Sequence, residues 1–199
     1  WATHGVPNEE NAHPHASANV AIVHNGIIEN FQELRQEVVK AGCQLASDTD
    51  TEIIVHLIQI NLDAGLTPKD ASADVFAKLR GAFSLGVIFS GEENLMIAAR
   101  QGSPLAIGVG DGEMYLGSDA IALAPLTKRI IYLEDGDWAV LTSDSVEIFD
   151  AKNNEVSREV RLSELSGAGI GKGGYRHFML KEIYEQPQVI GDTLHAFIN

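Results

Sequence analysis

Three polar clusters lie within the first thirty residues of the chain. They are Trp1-Ala2-Thr3-His4-Gly5, Asn11-Ala12-His13-Pro14-His15 and His24-Asn25-Gly26-Ile27-Ile28-Glu29-Asn30. In the third cluster, a carboxamide N–H of Asn25 and the backbone N–H of Gly26 can point at one spot. Such a pair of donors stabilises the oxyanion that forms when an acyl carbon is attacked, and glycine lets a substrate approach the backbone closely. The pattern therefore predicts a site for acyl-transfer chemistry.

The Asn25-Gly26 pair also has a purely structural interpretation, because Asn-Gly is the commonest two-residue hairpin turn. The apolar run at residues 20–23 predicts a buried strand that stops at His24-Asn25-Gly26, where the chain turns into a helix at about residues 30–41. The sequence leaves both interpretations open.

Asp50 lies in Ser47-Asp48-Thr49-Asp50-Thr51-Glu52, which offers a cap and an acidic first turn for a helix. Asp50 can simply belong to this cap. A carboxylate held at a helix start is also well placed to receive a substrate ammonium group, so the two interpretations are compatible.

His13-Pro14-His15 raises the question of a metal site. We expect the two imidazoles to point to opposite sides of an extended segment, and no third ligand is apparent nearby in the sequence. We therefore predict no metal site here.

The elements change character along the chain. Beyond the strand and helix already described, helices are predicted after residue 48 and from Thr67-Pro68 to Gly81. Short β-rich runs then follow at residues 82–89, 95–99, 104–109, 113–116, 129–133, 138–142 and 146–149. Early helices and late strands, without strict alternation, predict an α+β layered domain with largely antiparallel sheets. Residues 163–174, which are rich in glycine, are predicted to be flexible.

Composition excludes several classes of partner. The 199 residues carry 28 acidic and 14 basic side chains, for a net charge of −14. This charge argues against nucleic acid and anionic membranes as partners. No apolar run approaches the length of a membrane span, and no signal-peptide pattern is visible. We expect a soluble, cytoplasmic protein.

Cys43 is the only cysteine, and we expect it to be a partly buried apolar residue.

No cofactor is predicted. In Gly108-Val109-Gly110-Asp111-Gly112, the next position is Glu113, so the dinucleotide fingerprint lacks its last glycine, and a hairpin turn is the better interpretation. Residues 166–173 fail the phosphate-loop pattern at both ends.

Six ordered motifs resemble the glucosamine-6-phosphate synthase family of class II glutamine amidotransferases. They are the first and second clusters, the third cluster, the segment around Asp50, Arg100-Gln101-Gly102-Ser103-Pro104-Leu105, and Tyr175-Arg176-His177-Phe178-Met179-Leu180-Lys181-Glu182-Ile183-Tyr184-Glu185-Gln186-Pro187. The resemblance implies an N-terminal-nucleophile hydrolase fold, an αββα sandwich of two antiparallel sheets between helical layers. It implies a glutaminase domain at residues 1–174, and a linker with the start of a sugar isomerase domain at residues 175–199.

The resemblance also implies roles for individual residues. Asn25 and Gly26 match the oxyanion hole. Thr3 and His4 match positions that hold the α-carboxylate of L-glutamine, while Asp50, with Gly26, matches those that hold its α-amino group. Trp1 matches a tryptophan on the loop that closes over glutamine, and His13 matches a histidine near the site.

The family's nucleophile is an N-terminal cysteine, whereas residue 1 here is Trp. The arginine that directly precedes this tryptophan in the family is also absent. Cys43 cannot replace the N-terminal cysteine as nucleophile, because it is internal and has no free α-amino group. We expect the chain to be an N-terminally truncated part of a longer protein, inactive by itself. The resemblance implies that the longer protein is a homodimer that takes fructose 6-phosphate through its isomerase domain.

Two other interpretations stay open. The chain can be a nucleophile-free regulatory module that binds glutamine, or the glutaminase domain of another class II amidotransferase. The segment from Tyr175 to Pro187 disfavours the second of these.

Overall fold

The structure, a computed structural model, describes residues 4–163 and 171–198. Contacts divide the chain into two compact units, residues 1–164 and residues 165–199.

The first unit contains strands and four helices in the part of the chain that the structure describes. The strands are β1 (His15–Ala16), β2 (Val20–Ile28), β3 (Gly81–Phe89), β4 (Met96–Gln101), β5 (Ala106–Val109), β6 (Met114–Gly117), β7 (Arg129–Tyr132), β8 (Trp138–Leu141), β9 (Val146–Phe149), β10 (Glu155–Val156) and β11 (Val160–Leu162). The helices are α1 (Phe31–Lys40), α2 (Asp50–Asp63), α3 (Pro68–Phe76) and α4 (Ala120–Leu123).

These strands form two antiparallel sheets. The seven-stranded sheet has the order β1-β2-β3-β4-β8-β9-β10, and the four-stranded sheet has the order β11-β7-β5-β6. Apolar side chains of β4, β8 and β9 pack against those of β5 and β7 to form the core between the sheets. A larger core lies between the seven-stranded sheet and helices α1, α2 and α3, and α4 covers the other sheet. The predicted α+β class and αββα layering are confirmed.

The helix starts follow local sequence chemistry. Thr49 caps α2 by accepting a hydrogen bond from the Glu52 N–H at 3.3 Å, and Thr67 caps α3 by accepting from the Asp70 N–H at 3.1 Å. The predicted end of α3 at Gly81 is wrong, because the helix ends at Phe76. The side chain of Asn30 binds the carbonyl of Lys78 and the N–H of Arg80, which holds this segment as a turn.

The prediction that β2 stops at a turn around Asn25-Gly26 is wrong. The strand continues to Ile28 and pairs with β3 along its whole length, with Gly26 opposite Phe83. Gly26 has φ +131°, and a Cβ at this position would overlap the carbonyl oxygen of Ala82. The glycine therefore allows a close approach of two strands and does not form a hairpin. By contrast, Gly110-Asp111-Gly112 does form the predicted turn, between β5 and β6.

An ion pair between a partly buried arginine and a buried carboxylate lies at the crossover from one sheet to the other. Arg158 lies between β10 of the larger sheet and β11 of the smaller one, and it donates two hydrogen bonds, of 2.8 and 2.9 Å, to the carboxylate of Asp137. Asp137 is buried and also accepts from the backbone N–H of Glu134. Removal of Arg158 would leave the buried carboxylate of Asp137 without its charged partner, so the pair helps to hold the crossover in place.

The two sheets cover each other unevenly. β6 is the end strand of the smaller sheet within the described residues, and its Leu116 lies beside Gly86 of β3. Beyond this edge, Val23, Ile27 and Ile88 on the neighbouring strands are exposed. The face of β2 and β3 is therefore only partly covered.

The second unit consists mainly of α5 (Phe178–Ile198), which contains Pro187. Several of its apolar side chains are exposed, among them Met179, Ile183 and Phe197. Within the described ranges, no helix combines the length and apolar character that crossing a membrane requires. Most of the segment predicted to be flexible, residues 163–174, lies outside the described residues.

The close approach at Gly26 leads to a test of stability. We expect Gly26→Ala to lower the free energy of unfolding by about 3 kcal/mol or more, because it adds a clash with β3 to the strain of a positive φ. Gly91→Ala is the matched control: Gly91 has φ +83° with open space around it, so only strain of about 1 kcal/mol is expected. Urea denaturation of both variants measures the difference. Equal losses would show that β2 and β3 separate to accept a side chain.

Candidate functional site

A cavity of about 760 Å³ lies where β2, the start of α2 and residues 4–13 meet. Its walls include five of the residues predicted from the sequence: His4, His13, Asn25, Gly26 and Asp50. Two other predicted residues, Trp1 and Thr3, lie outside the described residues. The fold thus brings together residues as far apart along the chain as His4 and Asp50, which are 46 positions apart. The functional roles of these residues stay predictions.

The β2 strand contributes hydrogen-bond donors to the cavity. β1 pairs with β2 only as far as Ile22, so beyond that residue one edge of β2 has no strand beside it in the described part of the fold. The N–H of Ile28 points to this edge, since it donates to Asp50 Oδ2 at 2.8 Å. In a strand, N–H groups two residues apart point to the same side. The N–H of Gly26 is therefore directed to the open edge, beside the exposed side chain of Asn25.

Asp50 is the buried carboxylate of this cavity, with 3% of its surface exposed. It is the first residue of α2, and its two oxygens have different partners. Oδ2 accepts from the N–H of Ile28, while Oδ1 accepts from the hydroxyl of Thr51 at 3.4 Å. The imidazoles of His4 and His24 approach the same carboxylate, with N···O distances of 3.6 and 3.8 Å.

His24 is the most deeply buried histidine side chain of the cavity, with 2% exposure. Its Nδ1 lies 2.9 Å from Thr51 Oγ1, and its Nε2 is buried without a hydrogen-bond partner among the described residues. Burial lowers the pKa of His24 to about 4; Asp50 opposes the shift, and His13, His4 and His15 add to it. The ring is therefore neutral at physiological pH.

His13 lines the cavity, and the ring of His15 lies beside it. The rings of His13 and His15 lie 5.4 Å apart, so the expectation that they point to opposite sides is wrong. Residues two apart in an extended segment share a side, and the geometry follows that rule. His15 is buried, and its Nε2 lies 3.2 Å from Thr49 Oγ1, the cap of α2. Residues 4–163 and 171–198 contain no group of three or more His, Cys, Asp or Glu side chains placed to hold a metal ion.

Three further residues shape the site but were not singled out from the sequence. Thr51 and His24 contact Asp50 as described. Asn11 joins two walls of the cavity, because its side chain donates to the carbonyl of Val6 at 2.9 Å and accepts from the N–H of Asp48 at 3.0 Å. The signal for Asn11 and His24 was present, since both lie in the polar clusters. Thr51 was hidden because a threonine at a helix start looks like an ordinary capping residue.

Cys43 lies elsewhere in the fold. It is partly buried and packs against the core between the helices and the larger sheet, as expected from the sequence. It does not line the cavity.

Comparisons with known proteins agree with this geometry. Residues 4–125 match the family described as glutamine amidotransferase domain. Over its full length, the chain is 56% identical to glutamine–fructose-6-phosphate aminotransferase (isomerizing) of Mesorhizobium japonicum and 57% identical to that of Bradyrhizobium diazoefficiens. Each alignment covers 33% of the relative, so the chain spans about a third of the length of these curated proteins.

Solved structures with the same fold include two enzymes. Glutamine phosphoribosylpyrophosphate amidotransferase from B. subtilis is 25% identical, with a TM-score of 0.62 over 75% of this chain and 34% of that one. A structure described as the allosteric regulatory enzyme of purine biosynthesis is 26% identical, with a TM-score of 0.59 over 73% of this chain and 32% of that one.

The buried neutral state of His24 predicts a loss of stability in mild acid. The ordinary pKa is 6.5 and the folded value is about 4, so between these values the unfolded chain binds a proton that the folded chain does not. Acidification from pH 7 to pH 5 should therefore cost about 2 kcal/mol through this residue.

Denaturation of the wild type and of His24→Asn at both pH values measures this contribution. The variant should lose about 2 kcal/mol less than the wild type on acidification, because it has no group to titrate at this position. His177→Asn, which changes an exposed histidine of the second unit, is the control. An unchanged pH dependence in His24→Asn would mean that His24 does not carry the effect.

Proposed function

The chain belongs to the glutamine amidotransferase domain family, and on this basis we propose that it hydrolyses the side-chain amide of L-glutamine within a longer protein. The ammonia released is used to convert fructose 6-phosphate to glucosamine 6-phosphate, so the longer protein is an isomerising aminotransferase. One observation carries the proposal: a main-chain donor at Gly26 and a buried carboxylate at Asp50 border the same cavity. The identities of 56% and 57% over the whole chain support the choice of sugar acceptor.

The cavity suits the two ends of the substrate. We assign Asn25 and Gly26 to the oxyanion that forms at the amide carbon, since these groups lie on the open edge of β2. We assign Asp50 to the α-ammonium group, because it keeps acceptor capacity after its bonds to Ile28 and Thr51. His4, with Thr3, takes the α-carboxylate, and Trp1 covers the bound amino acid.

The nucleophile in this proposal is a cysteine thiolate outside these 199 residues. The N-terminal amine first takes the proton of the thiol and becomes an ammonium group. The thiolate then attacks the amide carbon, the C–N bond breaks, and ammonia leaves with the proton that the ammonium group returns. Water then cleaves the thioester and releases glutamate. The only thiol in the chain, Cys43, packs in the core and takes no part.

We also propose that the glutaminase domain occupies residues 1–174, and that residues 175–199 link it to a sugar isomerase domain. The division of contacts near residue 164 supports a boundary in this region. The isomerase domain would bind fructose 6-phosphate and hold the protein as a homodimer. We expect this protein in the cytoplasm.

The test uses the full-length protein with glutamine and fructose 6-phosphate. Glutamate and glucosamine 6-phosphate should appear in equal amounts. Asp50→Asn should lower kcat/KM for glutamine by about a hundredfold, since a charge-assisted contact to the ammonium group contributes about 3 kcal/mol. Asp48→Asn makes the same change at an exposed residue two positions away and should leave the rate unchanged.

Three results would contradict the proposal. Absence of glucosamine 6-phosphate would remove the sugar assignment, and formation of phosphoribosylamine from phosphoribosylpyrophosphate would point to the other kind of amidotransferase. Tight binding of glutamine in calorimetry, without any turnover by the full-length protein, would favour a regulatory binding module.

A further inference from the structure

We infer that Thr51 and His24 are positioning residues that fix the carboxylate of Asp50 for the α-ammonium group of the substrate. This inference rests on the proposed function, because it assumes an amino acid with a free α-amino group in the cavity. It goes further in assigning a role to two residues that contact Asp50 and need not touch the substrate.

The first observation is a chain of three side chains. His24 Nδ1 lies 2.9 Å from Thr51 Oγ1, and the Thr51 hydroxyl donates to Asp50 Oδ1 at 3.4 Å. The other oxygen of Asp50 accepts from the N–H of Ile28 at 2.8 Å. Each carboxylate oxygen thus has one donor from the protein, which fixes the plane of the carboxylate. About four acceptor positions exist on a carboxylate, so capacity remains for an ammonium group.

The second observation sets the direction of the hydrogen bonds. A neutral imidazole carries one N–H, and the Thr51 hydroxyl has a single hydrogen, which goes to the carboxylate. Nδ1 also lies 3.8 Å from Asp50 Oδ1, where an N–H is favoured over a lone pair. His24 therefore carries its hydrogen on Nδ1 and donates it to Thr51 Oγ1. Its Nε2 is then an acceptor, and it is the ring atom that lies buried without a partner in the described part of the structure.

The neutral state of His24 matters for the charge of the site. If the ring were protonated, it would neutralise Asp50 from inside the protein and compete with the substrate ammonium group. Burial lowers the pKa of His24, and the neighbouring rings of His13, His4 and His15 act in the same direction against the attraction of Asp50. The negative charge of Asp50 is therefore kept for the ligand.

The experiment compares two substrates in the full-length protein. One is L-glutamine, and the other is glutaramate, the analogue in which hydrogen replaces the α-amino group. The ratio of their kcat/KM values measures how much the enzyme gains from the ammonium group. We expect Asp50→Asn to remove most of the preference for glutamine over glutaramate. Thr51→Val should lower the ratio about tenfold, chiefly through a higher KM for glutamine.

Conservative variants separate positioning from simple packing. Thr51→Ser keeps the hydroxyl and should restore most of the ratio. His24→Asn places an amide N–H near the position of Nδ1 and should retain more of the ratio than His24→Gln, whose amide lies near Nε2. A merely structural role would lower the rates with both substrates and leave the ratio unchanged.

The wild-type protein allows a test that does not depend on the folding of any variant. Nitrogen-15 NMR of labelled histidine should show a protonated, pyrrole-type Nδ1 and an unprotonated, pyridine-type Nε2 for His24. The opposite tautomer would overturn the inference. A wild-type ratio in both Thr51→Val and His24→Gln, with a collapsed ratio in Asp50→Asn, would also overturn it while leaving the proposed function intact. An unchanged ratio in Asp50→Asn would instead remove the assignment of Asp50 in the proposed function.

Discussion

The contact between the carboxylate of Asp50 and the backbone N–H of Ile28 is the constraint on which the site depends. Burial of a carboxylate costs free energy unless hydrogen bonds compensate for the lost water. Asp50 therefore requires hydrogen-bond donors from the protein. Here the main donor belongs to the end of β2 and the acceptor to the first residue of α2. This bond fixes the start of the helix against the strand, and the cavity lies where the two meet.

The two acidic residues at the start of α2, Asp50 and Glu52, differ in their hydrogen-bond partners. Burial raises the pKa of Glu52, but hydrogen bonds from the N–H groups of Ala46 and Ser47 and from the Ser47 hydroxyl together lower it. These three donors engage both oxygens of Glu52 and hold the loop that precedes the helix. Asp50, two residues earlier, has two protein donors and borders the cavity. Glu52 thus holds the loop before the helix with both of its oxygens, whereas Asp50 holds the helix start against β2 and keeps acceptor capacity toward the cavity.

Local patterns predicted much of the fold because their causes are local. Threonine caps at Thr49 and Thr67 and the Gly-Asp-Gly turn between β5 and β6 depend on neighbouring residues alone. The course of β2 through Gly26 could not be predicted in the same way, since it depends on pairing with β3, more than fifty residues away. Thr51 was missed because a threonine at a helix start looks, in sequence, like an ordinary capping residue. Five candidate site residues do meet in one cavity, namely His4, His13, Asn25, Gly26 and Asp50, and the roles proposed for them rest on the family and not on spacing.

The close packing of Gly26 against β3 has a consequence for how such a site can diversify. One side of the cavity is formed by the main chain of a paired strand, and its donor is a peptide N–H, which every residue type except proline keeps. New selectivity must therefore arise in the side chains around it, on residues 4–13 and at the start of α2. The main-chain donor at Gly26 is thus fixed by strand pairing, whereas the side chains around it, that of Asn25 among them, are open to change by mutation.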